Sequence, residues 1–198
     1  MRVVIVPGNG CSDVRSSNWY GWMEQRLRAD GRFSGGVHLR DMPDPVDAKR
    51  SIWLPFMLTA LGCDANTLLI GHSSGAVAAM RLLEENKLAG ALLVSACHTD
   101  LGDAHEAASG YYPPSGGPWQ WEAMRANCDG NVLVLHSDND PFIPRSEASH
   151  VAEKLGGSQV LRVAPGRSHF FDPGQDLLDA VYALLDQAAA STPAAEDG

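Results

Sequence analysis

Short unbroken aliphatic runs alternate along the chain with longer stretches of helical spacing. The runs Val3 to Val6, Val37 to Leu39, Leu68 to Ile70, Ala91 to Val94, Val132 to Leu135 and Val160 to Val163 read as strands. Between and after them, Trp19 to Arg28, Ala48 to Leu61, Gly75 to Glu85, Ser146 to Leu155 and Gln175 to Ala189 carry helical periodicity. Gly156-Gly157 supplies a stop for the fourth of these helices. Strand and helix in strict alternation imply βαβ units and a mainly parallel sheet of about six strands. Because several strands are apolar at every position rather than every second one, both sheet faces should be covered by helices. The expected fold class is therefore α/β, built as a three-layer sandwich. Trp19, Trp22 and Trp53 fall on helical spacing and are expected in the core.

Two segments fall outside this rhythm. Residues 100–120 contain Ser109-Gly110-Tyr111-Tyr112-Pro113-Pro114-Ser115-Gly116-Gly117-Pro118, too rich in Gly and Pro for a regular element, and are expected to form an irregular excursion over the site. Residues 190–198 offer no core-forming side chains and are expected to be a disordered tail. The remaining 1–189 reads as one domain, since 198 residues suffice for one good core.

Composition narrows the partners more than the fold. A formal charge of −9 argues against nucleic acid or an anionic membrane surface, which call for a basic face. The apolar run after Met1-Arg2 is too short for a signal peptide or a membrane span, so a cytoplasmic location is expected. Cys11, Cys63, Cys97 and Cys128 show no C-x-x-C spacing, as suits reduced thiols. Cys11, in the loop after the first strand, is a minor candidate nucleophile.

The candidate chemistry centres on Gly71-His72-Ser73-Ser74-Gly75, where an apolar strand ends abruptly and an Ala-rich helix begins. A serine on so sharp a strand-to-helix elbow takes a strained positive φ, and glycines two residues before and after it avoid Cβ clashes. That spacing selects Ser73; around Ser74 the same positions hold His72 and Ala76. A serine hydroxyl needs a neighbouring base and the base an orienting carboxylate, here in the chain order serine, acid, histidine. His150 and His169 follow the last candidate acid. His150 sits within a helical stretch, whereas His169 lies in a loop beyond the final strand, at the carboxyl edge of the sheet where Ser73 also lies, and is the expected base. A base must be neutral, so activity is expected to fall in acid. In the preceding loop, Asp138 and Asp140 both qualify as the acid. Asp140-x-x-Ile143-Pro144 resembles the acid loop common in α/β-hydrolases, which favours Asp140. The oxyanion donors are expected to be the N–H of Ser74 and that of Asn9, which matches the residue after a His-Gly pair in many such enzymes. Gly8-x-Gly10 lacks the third glycine of a dinucleotide fingerprint. Tyr111, Tyr112, Trp119 and Trp121 of the excursion, with Phe170 and Phe171 beside His169, are expected to line a substrate pocket.

Longer strings extend the likeness: Val6-Pro7-Gly8-Asn9-Gly10, Trp19-Tyr20-Gly21-Trp22, Asp41-Met42-Pro43-Asp44-Pro45, Ser51-Ile52-Trp53-Leu54-Pro55-Phe56, Ser109-Gly110-Tyr111 and Pro118-Trp119-Gln120-Trp121. With the elbow, they make nearly the whole chain resemble the retinoblastoma-binding protein nine family of small serine hydrolases. The resemblance implies an α/β-hydrolase fold without a large cap domain, a triad of Ser73, Asp140 and His169, small ester or amide substrates, aminoacyl ones included, and no metal or organic cofactor. The family's Leu-x-Cys-x-Glu motif for the retinoblastoma pocket is broken here, because Ala65 follows Leu61-Gly62-Cys63-Asp64 where glutamate belongs. A retinoblastoma-type partner, and with it a scaffold role, is the alternative expectation. Burial in the core is the plainer role for Leu61 and Cys63.

Overall fold

Residues 1–191 are described by a computed structural model. Six strands, β1 (Arg2–Val6), β2 (Val37–Leu39), β3 (Thr67–His72), β4 (Gly90–Val94), β5 (Val132–Ser137) and β6 (Leu161–Ala164), form one sheet in the order β2-β1-β3-β4-β5-β6. Every neighbouring pair is parallel. The order reverses direction at β1 and β3, so the loops after these two strands open side by side at the carboxyl edge, the place where open α/β sheets bind ligands.

Side-chain alternation along the strands assigns each helix to a face. Val4, Val6, Leu69, Leu93 and Val134 point to one side, where they meet α2 (Arg50–Thr59), α3 (Ser74–Glu85), α5 (Trp121–Ala126) and α6 (Arg145–Leu155) through Trp53, Met57, Val77, Met80, Met124 and Val151. Val3, Ile5, Ile70, Leu92 and Leu133 point to the other, against α1 (Tyr20–Asp30) and α7 (Gln175–Ser191) through Met23, Leu27, Leu177 and Val181. The sheet is thus buried on both faces, and the three-layer α/β reading holds. No large cap domain is inserted among the described residues. Trp19 and Trp53 are fully buried, and Trp22 packs partly buried against the second cluster.

Several boundaries differ from expectation. Val160 belongs to a 3-10 turn, Ser158–Val160, so β6 begins one residue later. The helix expected from Ala48 starts at Arg50, because Ala48 takes φ +50°, outside helical geometry. The expected tail begins inside α7, which runs to Ser191, and 192–198 lie outside the described residues.

The 100–120 excursion is more ordered than its Gly and Pro content suggests. It contains α4 (Ala104–Ala108), whose N-terminal amides, those of His105 and Glu106, donate to the Asp103 carboxylate at 2.7 and 3.1 Å. Its later part is held by Arg81 of α3, whose buried guanidinium donates to the carbonyls of Tyr111, Gly117 and Pro118, pairs with Glu84 at 2.7 Å and lies 3.7 Å over the Trp119 ring. Replacing Arg81 by alanine would take the donor from three carbonyls and the cation from Glu84, leaving that buried carboxylate only the Gln120 amide. A loss of about 3 kcal/mol in unfolding free energy is expected, measured as a lower denaturant midpoint at unchanged slope.

Candidate active site

The turn from β3 into α3 places Ser73 at φ 53° and ψ −121°. The strain is built in by the chain around it: a Cβ on Gly71 would lie 2.7 Å from the Ala76 Cα, and one on Gly75 would run into the carbonyl oxygens of Val6 and Pro7. A Cβ on Gly8 would come within 3.2 Å of the Ser73 Cβ, so the β1 loop also presses against the elbow. Only glycine fits all three positions without displacement.

Ser73 opens onto a cavity of about 570 Å³ that Gly8, Asn9, Ser74, Tyr112, Phe142 and His169 also line. The Ser74 N–H begins a helix and has no intrahelical acceptor. Neither it nor the Asn9 N–H has a hydrogen-bond partner among the described residues. Two main-chain donors are therefore left free beside Ser73.

His169 is almost fully buried and its Nδ1 lies 2.8 Å from Asp140 Oδ2. Asp140 is acceptor-saturated: Oδ2 also receives the Ser95 hydroxyl at 3.0 Å, and Oδ1 receives the amides of Phe142 and Ile143 at 2.9 and 3.1 Å. Burial opposes ionisation of this carboxyl, but the hydrogen bond from His169 and those from the two amides outweigh it and bring the pKa down to about 2. An ionised Asp140 requires His169 to carry its proton on Nδ1, which leaves the Nε2 lone pair free. Among the described residues Ser73 Oγ and His169 form no hydrogen bond, and the His169 ring is held through its Nδ1 contact with Asp140.

The loops carrying the acid and the histidine are clipped together. Asp138 Oδ1 accepts from the Gly166 amide and Asn139 Oδ1 from that of Ser168, both at 2.8 Å, while Ser137 Oγ accepts from Arg167 at 2.9 Å. Asp138, the alternative acid, thus faces the histidine's loop rather than its ring. His150, the alternative base, lies outside the cavity and stacks on His98 with ring centroids 3.9 Å apart. Cys11 does not line the cavity, and burial raises its thiol pKa. Cys97 does line it, but burial pushes that thiol up to about 12, which makes it a poor nucleophile. Leu61 and Cys63 are buried, the core role expected of them.

The pocket expectation needs correction. Of the named aromatics, Tyr112 and Phe171 line the cavity; Tyr111, Trp119, Trp121 and Phe170 do not. Tyr111 is buried in the core beside Arg81. Trp119, drawn under the Arg81 guanidinium, and Trp121 border a separate groove with Glu153 and Lys154. Phe170, at φ 53°, turns inward to the α7 side of the core. Their places are taken by Phe142, Ile143 and Leu101, and by Asp103, His105 and Glu106 from the start of α4. Phe142 and Phe171 stay 60% and 44% exposed at the rim, with ring centroids 5.2 and 5.7 Å from that of His169. The position of Phe142 two residues after Asp140 was the available signal for it; nothing local marked Glu106.

Comparison with known proteins identifies the family. A family model described as "Serine hydrolase" matches residues 3–187. Serine hydrolase RBBP9 of Rattus norvegicus is 46% identical over 188 residues, covering 94% of this chain and 97% of the rat protein. The putative hydrolase YdeN of Bacillus subtilis is 32% identical over 189 residues, 93% of this chain and 94% of its own. The crystal structure of the B. subtilis ydeN gene product superimposes with a TM-score of 0.78, at 23% identity, over 93% of this chain and 98% of that one. The fold is accordingly that of the α/β-hydrolases, and the chain belongs to the serine hydrolase family, in the group that includes RBBP9.

Proposed function

We propose that this hydrolase cleaves small ester or amide substrates, aminoacyl ones among them, through an acyl-enzyme on Ser73. The observation that carries the reading is that the strained Ser73 shares its cavity with His169, whose other nitrogen is tied to the Asp140 carboxylate. The substrate carbonyl would sit against the Asn9 and Ser74 N–H groups. His169 Nε2 takes the Ser73 proton as Oγ forms its bond to the carbonyl carbon, and Asp140 stabilises the imidazolium. Nε2 then returns the proton to the departing oxygen or nitrogen as that bond breaks. Water repeats the sequence on the acyl-enzyme and restores Ser73. Since the leaving group collects its proton from His169, it lies on the side bordered by Phe142 and Phe171.

The acidic part of the cavity lining supports an amine-bearing acyl group. Glu106 sits there with Asp103, its Oε2 taking the Tyr112 hydroxyl at 3.2 Å and its Oε1 only a long contact, 3.5 Å, with Asn9 Nδ2. Burial raises the Glu106 carboxyl pKa, partly offset by the Tyr112 hydrogen bond, and a bound ammonium would relieve that cost. Steady-state kinetics on an aminoacyl ester and its N-acetyl derivative test this. Glu106→Gln is expected to lower kcat/KM for the free-amine ester by about 10- to 100-fold, the worth of a charged hydrogen bond, and to leave the acetylated ester nearly unchanged. Equal effects on the two substrates would contradict the amine site.

A further inference from the structure

His72, inside the elbow, is fully buried and has no part in the mechanism above. Its hydrogen bonds have only one consistent direction. The Tyr20 hydroxyl oxygen accepts from the Gly8 amide at 3.0 Å and from Asn18 Nδ2 at 3.1 Å, which fills its acceptor capacity. Its proton must therefore go to His72 Nδ1, 2.5 Å away. With Nδ1 accepting, the proton of the neutral ring is on Nε2, which donates to the main-chain carbonyl of His169 at 2.9 Å. Burial, and next the neighbouring His169, lower the His72 pKa to about 3, consistent with a neutral ring.

This chain of bonds runs beneath Ser73 and touches both loops that flank it. On one side Tyr20 holds Gly8, and with it the adjacent Asn9 N–H. On the other, His72 holds the backbone of His169, which lies between two non-glycine residues at positive φ, Ser168 at 50° and Phe170 at 53°. Strained backbone of this kind persists only where surrounding contacts fix it. The Asp138, Asn139 and Ser137 contacts fix residues 166–168 from the β5 side; His72 supplies the hold at residue 169 itself.

We propose that Tyr20 and His72 are positioning residues that lock the Gly8-Asn9 loop and the His169 loop onto the elbow, setting oxyanion donors, nucleophile and base at fixed separations. The inference rests on the roles given above to Ser73, Asn9 and His169. A positioning defect acts mainly in the transition state, so it lowers kcat more than it raises KM.

The test compares Tyr20→Phe, His72→Leu, His72→Gln and the double variant Tyr20→Phe with His72→Leu, using a small ester substrate, with Ser73→Ala as control. Tyr20→Phe and His72→Leu should each lower kcat by about 10- to 100-fold, as expected for misplacement rather than removal of reacting groups. KM should stay nearly constant. The double variant should lose no more than the worse single one, because both cut the same chain. His72→Gln, which keeps a donor for the His169 carbonyl, should recover part of the loss. Near-native kcat in both single variants, with Ser73→Ala inactive, would overturn the positioning role while leaving Ser73 intact as nucleophile. Persistent activity in Ser73→Ala would overturn both. The His72 imidazole 15N shifts of the unmutated protein give a readout that does not depend on any variant folding: His72 Nδ1 should be unprotonated and Nε2 protonated across the range in which a solvated histidine titrates. A protonated Nδ1 on His72 would contradict the proposal.

Discussion

Alanine at Ser73 is expected to lower kcat by about six orders of magnitude, the effect seen when the nucleophile of a serine triad is removed. In the proposed reaction the acyl-enzyme can then no longer form, and what should remain is the weak acceleration that bound substrate and the proposed oxyanion donors provide by themselves. Folding should be nearly unaffected, since the Ser73 hydroxyl makes no hydrogen bond within the described protein and alanine fits wherever serine does. Substrate binding should also persist, which separates lost chemistry from a lost cavity. Ser74→Ala is the matched control. Only the main-chain N–H of Ser74 is invoked, so its activity should stay close to that of the unaltered enzyme.

Asp140→Asn should cost about four orders of magnitude in kcat, and the hydrogen-bond pattern says why. The amides of Phe142 and Ile143 both donate to Oδ1, so the oxygen of the introduced side-chain amide will be drawn to that side. Its NH₂ then faces His169 and Ser95, where Oδ2 now accepts. His169 must answer with an unprotonated Nδ1, which moves its proton to Nε2 and removes the lone pair that should receive the Ser73 proton. Asp138→Asn keeps the oxygen that accepts from Gly166 and should leave kcat nearly unchanged. Equal losses in the two variants would contradict the assignment of Asp140. The same carboxyl sets a pH dependence of stability. Its pKa is lowered on folding to about 2, so its stabilising contribution is complete above the ordinary aspartate range, about pH 4, and fades as pH falls toward the folded-state value. Acid unfolding monitored by circular dichroism should therefore begin at higher pH in Asp140→Asn than in Asp138→Asn.

Legibility of the fold in the sequence followed the physics of each element. β1, β3, β4 and β5 are read directly because a strand buried on both faces must be apolar at every position, as Leu68, Leu69 and Ile70 are. The helices α4 and α5 are missed because five and six residues are too few for helical spacing to repeat, and α4 is defined by the Asp103 cap rather than by an apolar stripe. The elbow is legible because Gly71, Ser73 and Gly75 answer to steric demands within a few residues of one another. The pocket is not. Tyr111 and Tyr112 are neighbours in sequence and both are buried, yet only Tyr112 borders the cavity; of the next such pair, Phe170 is buried in the core and Phe171 stays exposed at the cavity rim. Which of each pair reaches the cavity depends on the hold of Arg81 on the Tyr111 carbonyl and on the positive φ of Phe170, contacts and geometry that composition does not encode locally. Tyr20 and His72 were visible as residues but not as a pair, because 52 positions separate them until β3 and α1 are placed against each other.

Ser73 as nucleophile is tested by the site of covalent modification by a fluorophosphonate, read by intact mass and fragment sequencing in the unaltered protein, Ser73→Ala and Ser74→Ala. One adduct, on Ser73, is expected in the unaltered protein and in Ser74→Ala, and none in Ser73→Ala. An adduct that persists in Ser73→Ala, or no adduct on the unaltered protein, would contradict that role.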